Sequence, residues 1–174
     1  MTDLESRLKG VIRDVPDFPK PGILFKDITP LLGRADLMAA ITERLADTYR
    51  GRIDAIVGME SRGFLFGVPL AMALRVPFAP ARKPGKLPYH RVSESYDLEY
   101  GTATLDLHTD AVHAGQQVLI VDDLVATGGT AAATARLVRR LGAEVAGFAF
   151  IVELTFLPGR AVLAPDPVFS LVRY

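Results

Sequence analysis

Apolar residues recur along this chain with two different periods, and the period switches several times from one end to the other. Leu4, Leu8, Val11 and Ile12 share one helical face, with Thr2 and Glu5 spaced as a capping box ahead of them. Leu37, Ile41, Leu45 and Tyr49 return every four residues and predict a second amphipathic helix, which Gly51 can end. Between the two, residues 15–22 carry three prolines and read as an extended loop. Residues 53–57 predict a short strand running into Gly58. Residues 64–74 are apolar on most faces, which predicts a buried helix with Pro69 in or near its first turns, where a missing N–H costs least.

In the second half, residues 76–81 predict a strand, and residues 82–95, with Pro84, Gly85 and Pro88 and no usable period, predict a long mobile loop. Ala103, Leu105 and Leu107 alternate with Thr104, Asp106 and His108, as in a strand with one buried face. Gly115 and the glutamines after it mark a turn. Residues 118–121 and 145–152 are continuous apolar runs of the kind buried on both faces of a parallel sheet, and residues 130–141 between them predict a helix closed by Gly142. Residues 168–172 predict a last short strand. Strands alternating with helices predict an α/β fold: a mostly parallel twisted sheet flanked by helices. No internal repeat or linker interrupts it, so residues 1–174 read as one domain with an N-terminal appendage. In such sheets ligands sit past the carboxyl ends of the strands, which directs attention to the residues after Val57, Ala81, Val121 and Val152.

Composition narrows the classes of function. The 174 residues suffice for one sizeable core, and 49% are hydrophobic against 23% charged. Twenty Lys and Arg balance 20 Asp and Glu, which argues against holding a duplex by its phosphates. The absence of cysteine excludes a disulfide framework, a thiolate metal site and a cysteine nucleophile, and fits a reducing compartment. Three dispersed histidines argue against a protein-only zinc site. The longest uncharged apolar stretch, 63–74, falls short of the roughly 20 residues of a membrane helix. The N-terminus is charged from its third residue, unlike a secretory signal. The expectation is a soluble, cytoplasmic protein with no nucleic-acid or membrane partner.

The candidate chemistry begins where the strand at 118–121 ends. Asp122 and Asp123 are followed by Leu124, Val125, Ala126, Thr127, Gly128, Gly129 and Thr130, and then a helix. Small residues at a helix start can turn successive backbone N–H groups toward one anion, and the helix dipole adds positive charge there. The spacing is neither a Walker A loop nor G-x-G-x-x-G. Carboxylates repel phosphate but accept hydrogen bonds from hydroxyls and bind Mg²⁺, so the pair ahead of the cradle suits a sugar phosphate. Either feature alone is met equally by an Asp helix cap or a Gly turn.

Residues 118–130 resemble the phosphoribosyl-pyrophosphate (PRPP) motif of type I phosphoribosyltransferases. Residues 18–30, 58–67, 82–88 and 95–101 match further motifs of the family in its order, and they narrow the resemblance to the adenine-specific members. The resemblance implies the type I phosphoribosyltransferase fold with a small N-terminal hood (1–33) and a flexible catalytic loop in the region 82–101. It implies a homodimer that uses Mg²⁺, held through the substrate with Asp122 and Asp123 as possible ligands, to convert adenine and PRPP into AMP and pyrophosphate. In that scheme Asp122 and Asp123 hold the ribose, and Ala126, Thr127, Gly128, Gly129 and Thr130 hold the 5′-phosphate. Glu60, Ser61, Arg62, Arg82, Lys83 and Lys86 meet pyrophosphate, with Arg82 and Lys86 the preferred basic contacts. Glu99 is the general acid or base, Tyr100 its neighbour and hydrogen-bond donor, and Arg62 is counted with them as catalytic. Leu24, Phe25 and Lys26, with Leu124 beneath the ring, read adenine.

Each piece also has a plainer reading from its residues alone. Arg62 can belong to an ordinary strand–helix turn. The basic run Arg82, Lys83, Lys86 and Arg91 can be solvated surface, Glu99 an exposed hairpin acid, and Phe25 a core anchor. Two other functions stay open: the same transfer to hypoxanthine or guanine, and a non-catalytic PRPP-sensing regulator.

Overall fold

A computed structural model describes residues 3–97 and 101–174 of the chain. The N-terminal region contains helix α1 (Asp3–Lys9), a hairpin of β1 (Arg13–Pro16) and β2 (Leu24–Asp27), and the short helix α2 (Thr29–Leu32). There follow α3 (Ala35–Tyr49), β3 (Ala55–Met59), α4 (Gly63–Leu74) and β4 (Phe78–Ala81). A second hairpin, β5 (Arg91–Asp97) and β6 (Thr102–His108), precedes β7 (Gln117–Val125), α5 (Gly129–Arg140), β8 (Glu144–Glu153), α6 (Gly159–Val162) and β9 (Val168–Arg173).

Five strands form one sheet in the order β4-β3-β7-β8-β9, and every pairing is parallel. Successive residues of a strand face opposite sides, and the two sides have separate cores. Val57, Val118, Ile120 and Phe148 face Leu137 and Val138 of α5. Ile56, Leu119, Val121 and Ile151 face Ile41 and Leu45 of α3 and Phe66 and Leu70 of α4. Both faces are covered, so the central strands need continuous apolar runs rather than alternation.

Six expectations are corrected. The strand expected at 53–57 runs from Ala55 to Met59, because its ladder with β7 begins at Ala55 opposite Val118. The strand expected to end at Val121 continues to Val125, because Leu124 and Val125 keep pairing with Val152 and Glu153 of β8; Asp122 and Asp123 therefore lie inside a strand. Pro69 sits in the interior of α4, not in its first turns. The proline-rich stretch is the loop of a hairpin, with residues 13–16 paired to 24–27. Residues 82–95 are not one loop: Arg91–Asp97 pair in full register with Thr102–His108. Val92, Glu94 and Tyr96 face inward along β5 while Arg91, Ser93 and Ser95 face out; a charged Glu94 on the inward side hid the period. Asp106, expected on the solvent face of β6, is buried, because Arg82 bridges to it through paired backbone bonds and Ser93 and Arg91 meet its carboxylate. Among the described residues no helix is long and apolar enough to cross a membrane.

One buried charge organises the carboxyl end of β8. Glu153 is 3% exposed and accepts hydrogen bonds from Arg160 Nε (2.7 Å) and Nη2 (2.6 Å), from the Ser170 hydroxyl, and from Arg173 Nε at 3.2 Å. The Arg160 bonds chiefly hold its carboxyl down, to about 2, against the upward push of burial, and Ser170 and the two arginine charges add to them. A depressed pKa contributes stability that is present above the ordinary carboxyl range and lost as pH falls through it. Glu153→Gln is expected to lower the unfolding free energy by about 2–3 kcal/mol at pH 7. In urea titrations the gap to the parent should close between pH 4.5 and about 2; a gap unchanged over that range would show that the charge is not its source.

Candidate active site

The sheet register sets the site. Gly58 lies opposite Val121 and Met59 opposite Ala81, so the chain leaves β3 and β4 beside the two carboxylates of β7. Glu60, Ser61 and Arg62 form the turn from β3 into α4, and the Glu60–Ser61 peptide is cis. Gly63 starts the helix against β7: a Cβ there would stand 2.5 Å from the Val121 carbonyl oxygen and 3.2 Å from Asp122 Cα. Only a residue without a side chain allows this approach, and it brings Arg62 Nε to 2.5 Å from Asp123 Oδ2.

Glu60, Ser61, Arg62, Lys83, Asp122 and Asp123 line a polar cleft of about 260 Å³. Glu60 organises its basic wall. One of its oxygens accepts the Lys83 backbone N–H at 2.8 Å and Arg82 Nε at 3.2 Å. Burial alone would raise its carboxyl, but those two hydrogen bonds and the charges of Arg82 and Lys83 hold it below the usual range. Asp122 goes the other way: burial first, then the Asp123 charge, push its carboxyl well above the usual range, although it accepts the Asp123 N–H and feels Arg62. Lys86 is exposed and closes a turn onto Lys83, outside the residues that line the cleft.

The expected phosphate cradle is the turn from β7 into α5. Gly128 caps the helix at φ +83°, and its carbonyl accepts the Ala132 N–H, leaving the first N–H groups of the helix without intrahelical partners. No carboxylate lies in that first turn. The turn rests on a support that the sequence reading did not include. Gly159 donates its N–H to the Ala126 carbonyl, and a Cβ on Gly128 would lie 2.8 Å from the Gly159 carbonyl oxygen. Its signal was available, since Pro158-Gly159 follows the fourth of the strand ends named above. The Thr130 hydroxyl donates to the Tyr96 hydroxyl at 3.0 Å.

The hood residues are placed differently. Leu24 is half exposed, and Phe25 meets Phe18 edge to face at 5.1 Å. The Lys26 ammonium binds Asp14 at 2.6 Å and lies 4.0 Å from the centre of the Tyr174 ring, so its side chain is engaged away from the cleft. Asp27, at the end of β2, is held low mainly by hydrogen bonds from Thr29, with the Arg13 and Arg62 charges adding to them, which links the hood to the cleft electrostatically. Leu124 packs half-buried against the core under α3 and α4. Glu99 and Tyr100 lie outside the described residues, between hairpin strands that end at Asp97 and begin at Thr102.

One edge of the parallel sheet thus carries a carboxylate pair, a glycine-capped helix start and an arginine turn side by side. Residues 26–157 match the family model of the phosphoribosyl transferase domain, and the chain belongs to that family. Its similar relatives carry a more particular name. An adenine phosphoribosyltransferase of Synechocystis is 55% identical, over 96% of this chain and 99% of its own length. One from Myxococcus xanthus is 51% identical over 99% of this chain and 95% of its own. The crystal structure of adenine phosphoribosyltransferase from Thermoanaerobacter pseudethanolicus superposes with a TM-score of 0.94 at 52% identity, covering 97% of this chain and 99% of that one. That of Saccharomyces cerevisiae, complexed with an imino-altritol bisphosphate and adenine, gives 0.92 at 42% identity, covering 98% and 99%.

The approach of α4 to β7 is testable by filling it. Gly63→Ala should cost about 1–3 kcal/mol and lower the thermal midpoint by several degrees. Gly10→Ala, where a Cβ meets nothing closer than 3.6 Å, is the control. Equal midpoints for the two variants would contradict the tight approach.

Proposed function

We propose that this chain transfers the phosphoribosyl group of PRPP to adenine, forming AMP and pyrophosphate in purine salvage. The observation that carries the reading is the juxtaposition of two kinds of anion chemistry on one sheet edge. A carboxylate pair stands directly ahead of a helix start that suits phosphate, and an arginine turn in register with it suits diphosphate. The full-length likeness to adenine phosphoribosyltransferases supports adenine as the base.

The reaction breaks the bond from ribose C1 to pyrophosphate through an oxocarbenium-like state, as glycoside cleavage does, and forms the bond from C1 to a purine nitrogen. Residues 126–130 hold the 5′-phosphate by backbone N–H groups and threonine hydroxyls. Asp122 and Asp123 accept hydrogen bonds from the ribose hydroxyls. Burial, and after it the Asp123 charge, raise the Asp122 carboxyl, and donors or positive charge from the substrate offset the repulsion between the pair. Arg62, Arg82, Lys83 and Lys86 neutralise the leaving diphosphate, with Arg62 able to donate bidentately, and Glu60 fixes Arg82 and Lys83 in place. Leu24, Phe25 and Lys26 hold the base edge and Leu124 lies beneath it. Glu99 transfers a proton at the purine, with Tyr100 beside it.

The donor set suits Mg²⁺ carried by the substrate. Among the described residues no group of three His, Asp or Glu could cage an ion; of the three carboxylates that line the cleft, Glu60 is engaged by Arg82 and Lys83, which leaves Asp122 and Asp123 as the possible ligands. What the ion supplies when bound is neutralisation of the leaving pyrophosphate.

The same reading includes a homodimer. Leu65, Val68 and Met72 are exposed at helical spacing on α4, one turn from Arg62, and a second copy of the chain would cover them. Sedimentation should give twice the 18.8 kDa chain mass, and Met72→Glu should shift it toward the monomer; a monomeric parent would remove the dimer.

In a PRPP-consuming assay adenine should be used faster than hypoxanthine or guanine, and faster turnover of either would reassign the base. By calorimetry, Asp122→Ala combined with Asp123→Ala should weaken PRPP binding at least tenfold more than adenine binding, the scale of losing two charge-assisted hydrogen bonds. Equal losses for both ligands would contradict the ribose assignment.

A further inference from the structure

The β5–β6 hairpin lies against α5, the helix whose start forms the expected phosphate cradle, and three side-chain contacts run along the seam. Arg140 Nη1 donates to the Ser93 carbonyl at 3.2 Å, Arg136 Nε donates to Glu94 Oε1, and Thr130 Oγ1 donates to the Tyr96 hydroxyl at 3.0 Å. The first two pairs lie on the exposed outer part of the seam and need only hold the hairpin down. The third is part-buried and ends at the first turn of the helix, where the 5′-phosphate is placed by the reading above.

A threonine hydroxyl in a helix ordinarily bonds back to a carbonyl one turn earlier. Thr134 does this, donating to the Thr130 carbonyl at 2.9 Å. Thr130 stands at the helix start and turns its hydroxyl to Tyr96 instead. The Tyr96 ring is packed against the core on the α5 side of the sheet, which leaves its hydroxyl little freedom. We propose that Tyr96 is a positioning residue for the 5′-phosphate: it holds the Thr130 hydroxyl ready to donate to that phosphate. The proposal rests on the phosphoribosyl reading and adds to it a residue outside the cradle.

Each hydroxyl has one proton and can also accept, so the bond can reverse without any proton leaving its oxygen. With the phosphate absent, Thr130 donates to Tyr96. With the phosphate present, Thr130 donates to a phosphate oxygen and accepts from Tyr96 O–H. The resulting chain, Tyr96 to Thr130 to phosphate, polarises in one direction and strengthens both bonds. It also makes the hairpin contact stronger when the cradle is filled, so phosphate occupancy and hairpin position are coupled through one hydrogen bond.

The test uses Tyr96→Phe, which keeps the packed ring and removes only the hydroxyl. Binding of PRPP, ribose 5-phosphate and pyrophosphate is measured by calorimetry with Mg²⁺ present, in the parent, Tyr96→Phe, Thr130→Ala and the double variant. Tyr96→Phe should weaken PRPP and ribose 5-phosphate about fivefold, the worth of one neutral hydrogen bond, and leave pyrophosphate unchanged. On a Thr130→Ala background it should cost nothing more. Unchanged ribose 5-phosphate binding, an equal loss for pyrophosphate, or a full fivefold loss on the Thr130→Ala background would each overturn the proposal. A parent that binds neither PRPP nor ribose 5-phosphate overturns the phosphoribosyl reading itself, and this proposal with it.

Discussion

The pairing of β3 with β7 governs this structure. Its register places Gly58 beside Val121, and every component of the candidate site follows from where the chain then turns. Leaving β3, the chain enters α4 through Arg62 and Gly63; leaving β7, it carries two adjacent carboxylates and then the cradle. Two buried like charges repel strongly, and the guanidinium of Arg62 against Asp123 offsets part of that repulsion. The offset depends on a helix starting in contact with a neighbouring strand, which Gly63 permits and any side chain would prevent. A shift of one residue in the register would send alternate side chains of β3 to the other core and separate Arg62 from Asp123.

Charge in the site is sorted over short distances although the chain as a whole is neutral. Glu60 holds Arg82 and Lys83, Asp106 holds Arg91 and receives the backbone of Arg82, and Asp123 holds Arg62. Arg62 and Arg82, and the backbone of Lys83, thus each have an anion behind them that fixes their place. Fixed donors facing a developing charge need not reorganise when it forms, and this is the main electrostatic advantage of such an arrangement. The Glu153 cluster performs the matching task on the other side of the cradle. It clamps Arg160, next to the Gly159 that supports Ala126 and Gly128.

The long apolar and amphipathic segments were readable because burial on both sheet faces or on one helix face leaves a period in the residues themselves. α3, α4, α5 and β8 came out within two residues of their expected bounds for that reason. The failures fell where that relation breaks. Glu94 sits on the inward side of β5 because Arg136 of α5 meets it, and a charge in that position reads as loop. Asp106 is buried because a turn from another strand covers it. Asp122 and Asp123 were expected after a strand because the continuous apolar run stops at Val121, yet pairing with β8 continues past them at Leu124 and Val125. Glu153 gained its role from partners 7 to 20 positions away, and Gly159 gained its role from the cradle turn.

By itself the sequence determined the layer order, the two-sided core and the chemical types gathered at the strand ends, because periodicity and local turn chemistry are properties of neighbouring residues. It also contained, in the order of its motifs, the resemblance to the family. Only the tertiary structure decided which cation faces which carboxylate, that Asp122 titrates high while Glu60 titrates low, that Lys26 turns its ammonium to Asp14 and Tyr174, and that Thr130 bonds to Tyr96. Those outcomes depend on distances of a few ångströms between residues far apart in the chain. Strand register and a glycine-permitted close approach set such distances, and no pattern along the chain encodes them.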